Sequence, residues 1–352
     1  MEKVLMRGNE AIGEAAIRAG CKTFFGYPIT PQSELPAYLA KKLPKIESGV
    51  FLQAESEIAA INMVYGAAGA GARVLTSSSS PGISLKQEGI SYMAGAELPC
   101  VIVNIIRGGP GLGDIQPAQS DYFQSTKGGG HGDYKMIVLA PSSVQEIADL
   151  VMEAFYLADK YRNPVLVLGD GALGQMMEPV SFKKISHEKL PQKDWATTGM
   201  IGRGPNIINS LYLDPDLLEQ HNHKLYEKYK QMAKNEVKYE TFHCEDAEII
   251  IVAFGIIARI AETAVIQARK NGIKAGIIRP ITLWPFPEKP FNEVMDNVKS
   301  FLTVEMSMGQ MVEDVKLSVS GRKPVHFYGR TGGIVPTPEE ILHEIKTIQG
   351  GK

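Results

Sequence analysis

Between Val4 and about Val180, five short, largely apolar β-rich runs alternate with amphipathic helical stretches, and each run is soon followed by Gly, Pro or Ser. The runs are Thr23-Phe24-Phe25, Arg73 to Thr76, Val101 to Ile106, Met136 to Leu139 and Val165 to Leu168. Strands buried on both faces read as continuous apolar runs, and parallel neighbours need a crossover helix between them. The pattern therefore predicts a doubly wound parallel α/β sheet over residues 1–180. From Ser181 to about Glu245 the periodicity fades, and the stretch Pro205 to Asn235 is rich in Asn, Lys, Tyr and Glu. That composition reads as a linker, 181–245, with one exposed helix. Alternation resumes at Ile249 to Gly255, followed by a helix to Asn271, then Ala275 to Ile278, Phe301 to Val304 and Val325 to Tyr328. Residues 246–352 thus form a second, smaller α/β domain.

With 352 residues, 44% of them hydrophobic, the chain can bury full cores in two or three domains. A formal net charge of −2 leaves no basic footprint for nucleic acid or an acidic membrane surface. No apolar run approaches a membrane span, and Glu2, Glu10 and Glu14 argue against a signal peptide in Met1 to Gly20. Cys21, Cys100 and Cys244 are isolated, with no Cys-x-x-Cys pair. That usage points to a reducing, cytoplasmic location and to no metal site or iron–sulfur cluster in this chain.

Three places carry candidate chemistry. In Tyr27-Pro28-Ile29-Thr30-Pro31 two prolines fix φ and push Tyr27 and Thr30 toward extended geometry, which holds the Thr30 hydroxyl still at a strand end. A rigid turn with Pro31 opening a helix that includes Gln32 to Ala40 explains the same residues. Glu55 and Glu57 open a helix rich in small residues, Ala59, Ala60, Gly66 and Gly69, which implies close approach by another backbone or a flat ligand. Glu57 shares the face of Ile61 and Val64 and is the one expected to be buried; a stabilising role at the helix dipole is the alternative. Arg107 ends an apolar strand beside Gly108-Gly109-Pro110-Gly111, placed to hold a carboxylate or phosphate through its fork, or else to pair with Asp114 or Asp121. His131, flanked by glycines, can reach the same pocket or bond nearby backbone. Ser77 to Ser80 before Pro81-Gly82 could cradle a phosphate or cap a helix. Glu34, Lys86 and Glu178 are expected to face solvent.

Taken together, Tyr27 to Pro31, the Glu57 helix running into Val64-Tyr65-Gly66-Ala67, Arg107 and Ala140-Pro141-Ser142-Ser143-Val144-Gln145-Glu146 resemble the pyrimidine-binding domain of the 2-oxoacid:ferredoxin oxidoreductases. Arg279 to Pro287 and Val304 to Gln310 resemble the transketolase carboxy-terminal-like domain that follows it. The resemblance implies a thiamine diphosphate enzyme whose cofactor is shared with a partner subunit. The aminopyrimidine would lie on this chain, while the diphosphate, Mg²⁺ and iron–sulfur clusters would lie on partners. It further implies a gamma subunit and a ferredoxin-like subunit, with coenzyme A taking the acyl group. Glu57 matches the glutamate that hydrogen-bonds the pyrimidine ring, and a carboxyl withdrawn from water can share a proton with it. Tyr27, Pro28 and Ile29 match cofactor contacts, while Thr30 and Arg107 match the groups that hold the 2-oxoacid. Gly111-Leu112 stand in place of the Ser-Thr hydroxyls of 2-oxoglutarate enzymes, and a loop with Leu112 and Ile115 looks more like the branched-chain, 2-oxoisovalerate type.

Two other readings stay open. A 2-oxoglutarate enzyme would keep the class. A self-sufficient thiamine diphosphate decarboxylase or transketolase-like enzyme would use Asp170, in Gly169-Asp170-Gly171, as a metal ligand; that tripeptide reads better as a closing turn, because the first downstream asparagine is Asn206. An interaction subunit with a decayed site is disfavoured by the intact Thr30, Glu57 and Arg107.

Overall fold

The computed structural model describes residues 3–182, 189–190 and 192–350. The first half runs β1 (Val4–Arg7), α1 (Gly8–Arg18), β2 (Thr23–Gly26), α2 (Glu34–Lys42), β3 (Val50–Gln53), α3 (Glu57–Gly69), β4 (Val74–Ser78) and α4 (Pro81–Gly95). It continues through β5 (Cys100–Ile106), α5 (Tyr122–Thr126), β6 (Ile137–Leu139), α6 (Val144–Tyr161), β7 (Pro164–Asp170), α7 (Gly171–Gln175) and β8 (Met177–Val180). The second half runs α8 (Pro215–Asn235), β9 (Tyr239–Phe242), β10 (Ile249–Val252), α9 (Gly255–Lys270), β11 (Ala275–Pro280) and β12 (Thr282–Trp284). It closes with α10 (Lys289–Val294), β13 (Ser300–Glu305), α11 (Met311–Val319), β14 (Val325–Gly329) and α12 (Pro338–Gly350).

Each expected strand run forms a strand; the central ones are covered on both faces, with β5 and β7 buried at every position, whereas β14 at the edge of the second sheet stays partly exposed. The first sheet has the order β12-β6-β7-β5-β4-β2-β3, all parallel except β12. The second has the order β14-β13-β10-β11-β9, parallel except β9. β1 and β8 form a separate antiparallel ribbon. The fold is therefore α/β with a doubly wound parallel sheet, and the helix α8 buries only Leu225, Tyr229 and Met232.

β12 carries a chemical consequence. It comes from the second half of the chain yet completes the edge of the first sheet, pairing antiparallel with β6. Arg279 at the end of β11 reinforces the junction, donating to Glu146 at the start of α6 at 2.6 and 3.0 Å and to Glu240 at 2.6 Å. Because the strands are parallel, the turns after β2, β4 and β5 leave the same edge of the sheet, where ligand-contacting groups of such folds collect.

Candidate functional site

The Tyr27–Pro31 turn is held by more than its prolines. The Pro31 carbonyl accepts from Asn9 Nδ2 at 2.9 Å and Gln175 Nε2 at 3.0 Å, and the Thr30 carbonyl accepts from Arg107 Nη1 at 3.1 Å. Tyr27, Pro28 and Thr30 are exposed and Ile29 is half-buried, and the Thr30 hydroxyl has no hydrogen-bond partner among the described residues. The helix after it starts at Glu34, two residues later than Gln32, because Gln32 instead turns inward and accepts from the Ser77 hydroxyl at 2.6 Å.

Glu57 occupies the first turn of α3, and Ser56 caps that helix by accepting from the Ala59 amide at 3.1 Å. Glu55 lies before the helix and is exposed, whereas Glu57 is 6% exposed. The Glu57 carboxyl has no protein hydrogen bond among the described residues. It rests against Gly82 in the first turn of α4: a Cβ there would stand 2.7 Å from Glu57 Oε1 and 2.0 Å from Ser78 Oγ, so only glycine lets these groups close on the turn. Ser78 Oγ, Ser79 Oγ, Gln32 Nε2 and Arg107 Nε are buried without partners. Leaving such groups unpaired is costly unless a ligand or water meets them. A carboxyl without a protein donor, among buried groups awaiting partners, fits the amino-substituted ring of a thiamine pyrimidine.

Arg107 is 7% exposed. Neither aspartate considered from the sequence pairs with it: Asp114 accepts from the Gln116 amide at 2.8 Å, and Asp121 accepts from Asn104 Nδ2 at 2.8 Å. Its fork instead donates to the carbonyls of Thr30 and Leu112, the latter at 3.0 Å. A buried guanidinium held only by neutral carbonyls retains an unmatched charge, which suits an incoming carboxylate.

Leu112 is 80% exposed beside that fork. His131 stands apart: the Ser91 hydroxyl bonds its carbonyl, and Ser91 lies nine residues beyond Gly82 on α4, about 14 Å along the helix axis at 1.5 Å per residue. Ser80 does not act as a hydroxyl cap. Its φ of 26° is rare for a residue with a side chain, and its hydroxyl exchanges bonds with the Arg107 backbone while its amide donates to Asn104 Oδ1 at 3.0 Å. Asn104 was legible as the one polar residue within an otherwise apolar strand.

The solvent-facing expectation is overturned for Lys86, while Glu34 and Glu178 are half-buried and bonded. Lys86 is wholly buried, Glu34 accepts from Asn9 at 2.8 Å and Gln175 at 2.9 Å, and Glu178 pairs with Arg259 at 2.8 Å. Asp170 caps α7, accepting from the Ala172 and Leu173 amides at 2.9 and 3.0 Å, which accounts for Gly169-Asp170-Gly171 as a turn. Among the described residues no helix is long and apolar enough to cross a membrane, and no group of three or more His, Cys, Asp or Glu could hold a metal ion.

The family described as pyruvate flavodoxin/ferredoxin oxidoreductase, thiamine diphosphate-binding, matches residues 14–241, and pyruvate:ferredoxin oxidoreductase core domain II matches residues 247–341. The chain is 52% identical over 350 residues to the ketoisovalerate oxidoreductase subunit VorB of Methanothermobacter marburgensis, covering 99% of both chains. It is 37% identical over 371 residues to the 2-oxoglutarate synthase subunit KorA of Methanothermobacter thermautotrophicus, covering 98% of both. Among solved structures it superposes on the 2-oxoglutarate:ferredoxin oxidoreductase of Magnetococcus marinus, which has 2-oxoglutarate, coenzyme A and succinyl-CoA bound, with a TM-score of 0.86 and 29% identity. That match covers 98% of this chain but 65% of the other, so this chain spans less than two thirds of that one's length. A split-gene transketolase, as an inactive β4 tetramer, shares the fold at a TM-score of 0.61 and 15% identity.

Proposed function

The chain belongs to the 2-oxoacid:ferredoxin oxidoreductase family, and on that premise we propose that it is the subunit holding the pyrimidine side of thiamine diphosphate in an enzyme that oxidises branched-chain 2-oxoacids, 2-oxoisovalerate foremost. The observation that carries the substrate is the 52% identity, end to end, with subunits named for ketoisovalerate. The exposed, apolar Leu112 beside the Arg107 fork supports it, since an isopropyl group seeks apolar cover.

Thiamine diphosphate, when bound, supplies the nucleophilic carbon for the 2-oxo group and the electron sink for decarboxylation. This chain's residues do the rest of the work on its side. Glu57 accepts or shares a proton with the pyrimidine ring nitrogen, from a position with no competing protein donor. Tyr27, Pro28 and Ile29 line the ring's approach. Arg107 holds the substrate carboxylate, and the Thr30 hydroxyl donates to the substrate's oxygen. Coenzyme A is the acyl acceptor and a ferredoxin the electron acceptor. The diphosphate, its Mg²⁺ and the iron–sulfur clusters lie on a partner subunit, accompanied by a gamma subunit and a ferredoxin-like subunit, and the complex works in the cytoplasm.

The test is anaerobic viologen reduction by the assembled complex, purified from its host, with coenzyme A and a panel of 2-oxoacids. We expect 2-oxoisovalerate to be oxidised fastest and Glu57→Gln to lower turnover by about 10²-fold or more, the scale of general acid–base catalysis, in a complex that still assembles. Faster oxidation of 2-oxoglutarate would overturn the substrate. Near-normal turnover in the Glu57 variant would overturn the site.

A further inference from the structure

Burying an ammonium group is costly unless it is paired, yet Lys86 is 0% exposed and forms no ion pair with any described residue. Its Nζ donates to Thr76 Oγ1 at 2.7 Å and to the Ser77 carbonyl at 2.9 Å, both on β4. The Thr76 hydroxyl donates onward to the Phe25 carbonyl at 2.7 Å, near the end of β2 where the Tyr27–Pro31 turn begins. One helical turn before Lys86, on the same face of α4, Gly82 lies against the Glu57 carboxyl. Lys86 is thus fixed behind the surface that receives Glu57 and tied to two of the strands that carry the site.

Two ionisable groups bear on its charge: Glu57 from α3 and Cys100 from β5. Burial raises the Cys100 thiol well above its ordinary range, so that group stays neutral. Arg107 reaches the end of β4 through Ser80, but its fork is turned toward Thr30 and Leu112. Burial also pushes Lys86 down to about 7, with the Glu57 charge opposing the fall.

We propose that Lys86 is a positioning residue for Glu57: its ammonium group, anchored to β4, sets the electrostatic field in which the Glu57 carboxyl takes and gives its proton. The proposal rests on the reading of Glu57 as the carboxyl that faces the cofactor's pyrimidine. A cation behind a carboxyl favours the carboxylate, so removing it lets the carboxyl keep its proton to higher pH.

The test uses Lys86→Met and Lys86→Gln in the assembled complex, with viologen reduction at saturating 2-oxoisovalerate followed across pH. Both variants are expected to move the acid limb of the profile upward by roughly half a pH unit or more. Lys86→Gln should do so although it keeps a donor for Thr76. A Lys86→Gln profile that superimposes on the wild type, with only rate or stability changed, overturns the proposal, and so does failure of both variants to assemble, which assigns Lys86 to folding alone. If only Lys86→Met fails to assemble, Lys86→Gln decides. Glu57→Gln separates the levels: retained turnover there removes the premise, whereas a dead Glu57→Gln with an unshifted Lys86→Gln profile removes only the role of Lys86.

Discussion

Arg107 shows how a residue's solvation decides its use. Its guanidinium is buried, carries a full charge, and is met by two carbonyl oxygens and no carboxylate among the described residues. Planarity lets one side chain reach both Thr30 and Leu112, which a lysine ammonium on a flexible stem cannot do while also presenting a fork to a ligand. Hydrogen bonds to charged groups contribute about 1.5–3 kcal/mol, so Arg107→Lys should raise the KM for the 2-oxoacid about 10- to 100-fold. Steady-state kinetics across the substrate panel would check this, and an unchanged KM would remove Arg107 from the carboxylate clamp. At the same scale, Glu57 was legible because it shares the buried face of Ile61 and Val64, whereas Glu55, expected on the same helix, lies before it. Lys86 was missed because it was judged by residue type. Its spacing from Gly82, Ile83, Gly89 and Ile90, three or four residues each way, places it on the buried face of α4, and that periodicity was available in the sequence.

Among the elements, the packing of α3 on α4 is what brings Glu57 to the site, and glycine sets their separation. A Cβ on Gly89 would stand 2.6 and 2.7 Å from the Cγ atoms of Ile61, a buried, β-branched side chain with little room to yield. Overpacking of that kind costs about 1–3 kcal/mol, partly offset by the gain of up to about 1 kcal/mol from replacing glycine in a helix. Gly89→Ala should therefore destabilise the chain by about 1–2 kcal/mol in denaturant unfolding. Gly66 on α3 has nothing within 4 Å of such a Cβ, so Gly66→Ala should instead stabilise it by about 0.5–1 kcal/mol. The same sign for both variants would refute the assignment of the close approach to Gly89. Gly69, at the end of α3, meets only Ile208 Cγ1 at 3.9 Å from such a Cβ, an ordinary contact that does not require glycine. The central strands were legible because burial on both faces leaves unbroken apolar runs. β12, β9 and the β1–β8 ribbon were not, because their burial patterns are mixed and their pairing is decided by distant parts of the chain.

At the scale of the molecule, the second half buttresses the site loops through a small set of polar contacts. Gln119 donates to the Phe254 carbonyl at 2.9 Å and accepts from the Met306 amide at 3.1 Å, and the Tyr122 hydroxyl donates to Asp314 at 2.6 Å. Asp170 sits at this junction, bonding the α7 amides and lying beside Gly255 at the start of α9. Burial raises it from 3.8 to about 6, against the pull of those amides. A carboxyl that binds its proton more tightly folded than unfolded contributes stability that is fully present below about 3.8 and is lost as pH rises through about 6. A shift of about two units corresponds to roughly 3 kcal/mol. Asp170→Asn keeps an acceptor for the α7 amides but cannot ionise. The stability difference between variant and wild type should therefore move by roughly 2 kcal/mol of that in the variant's favour between pH 4 and pH 6.5, with wild-type stability carrying the slope. Denaturant unfolding at a series of pH values measures that difference directly. A constant offset across the window would show that Asp170 does not take up its proton on folding, and that the amides at the junction hold it as a carboxylate throughout.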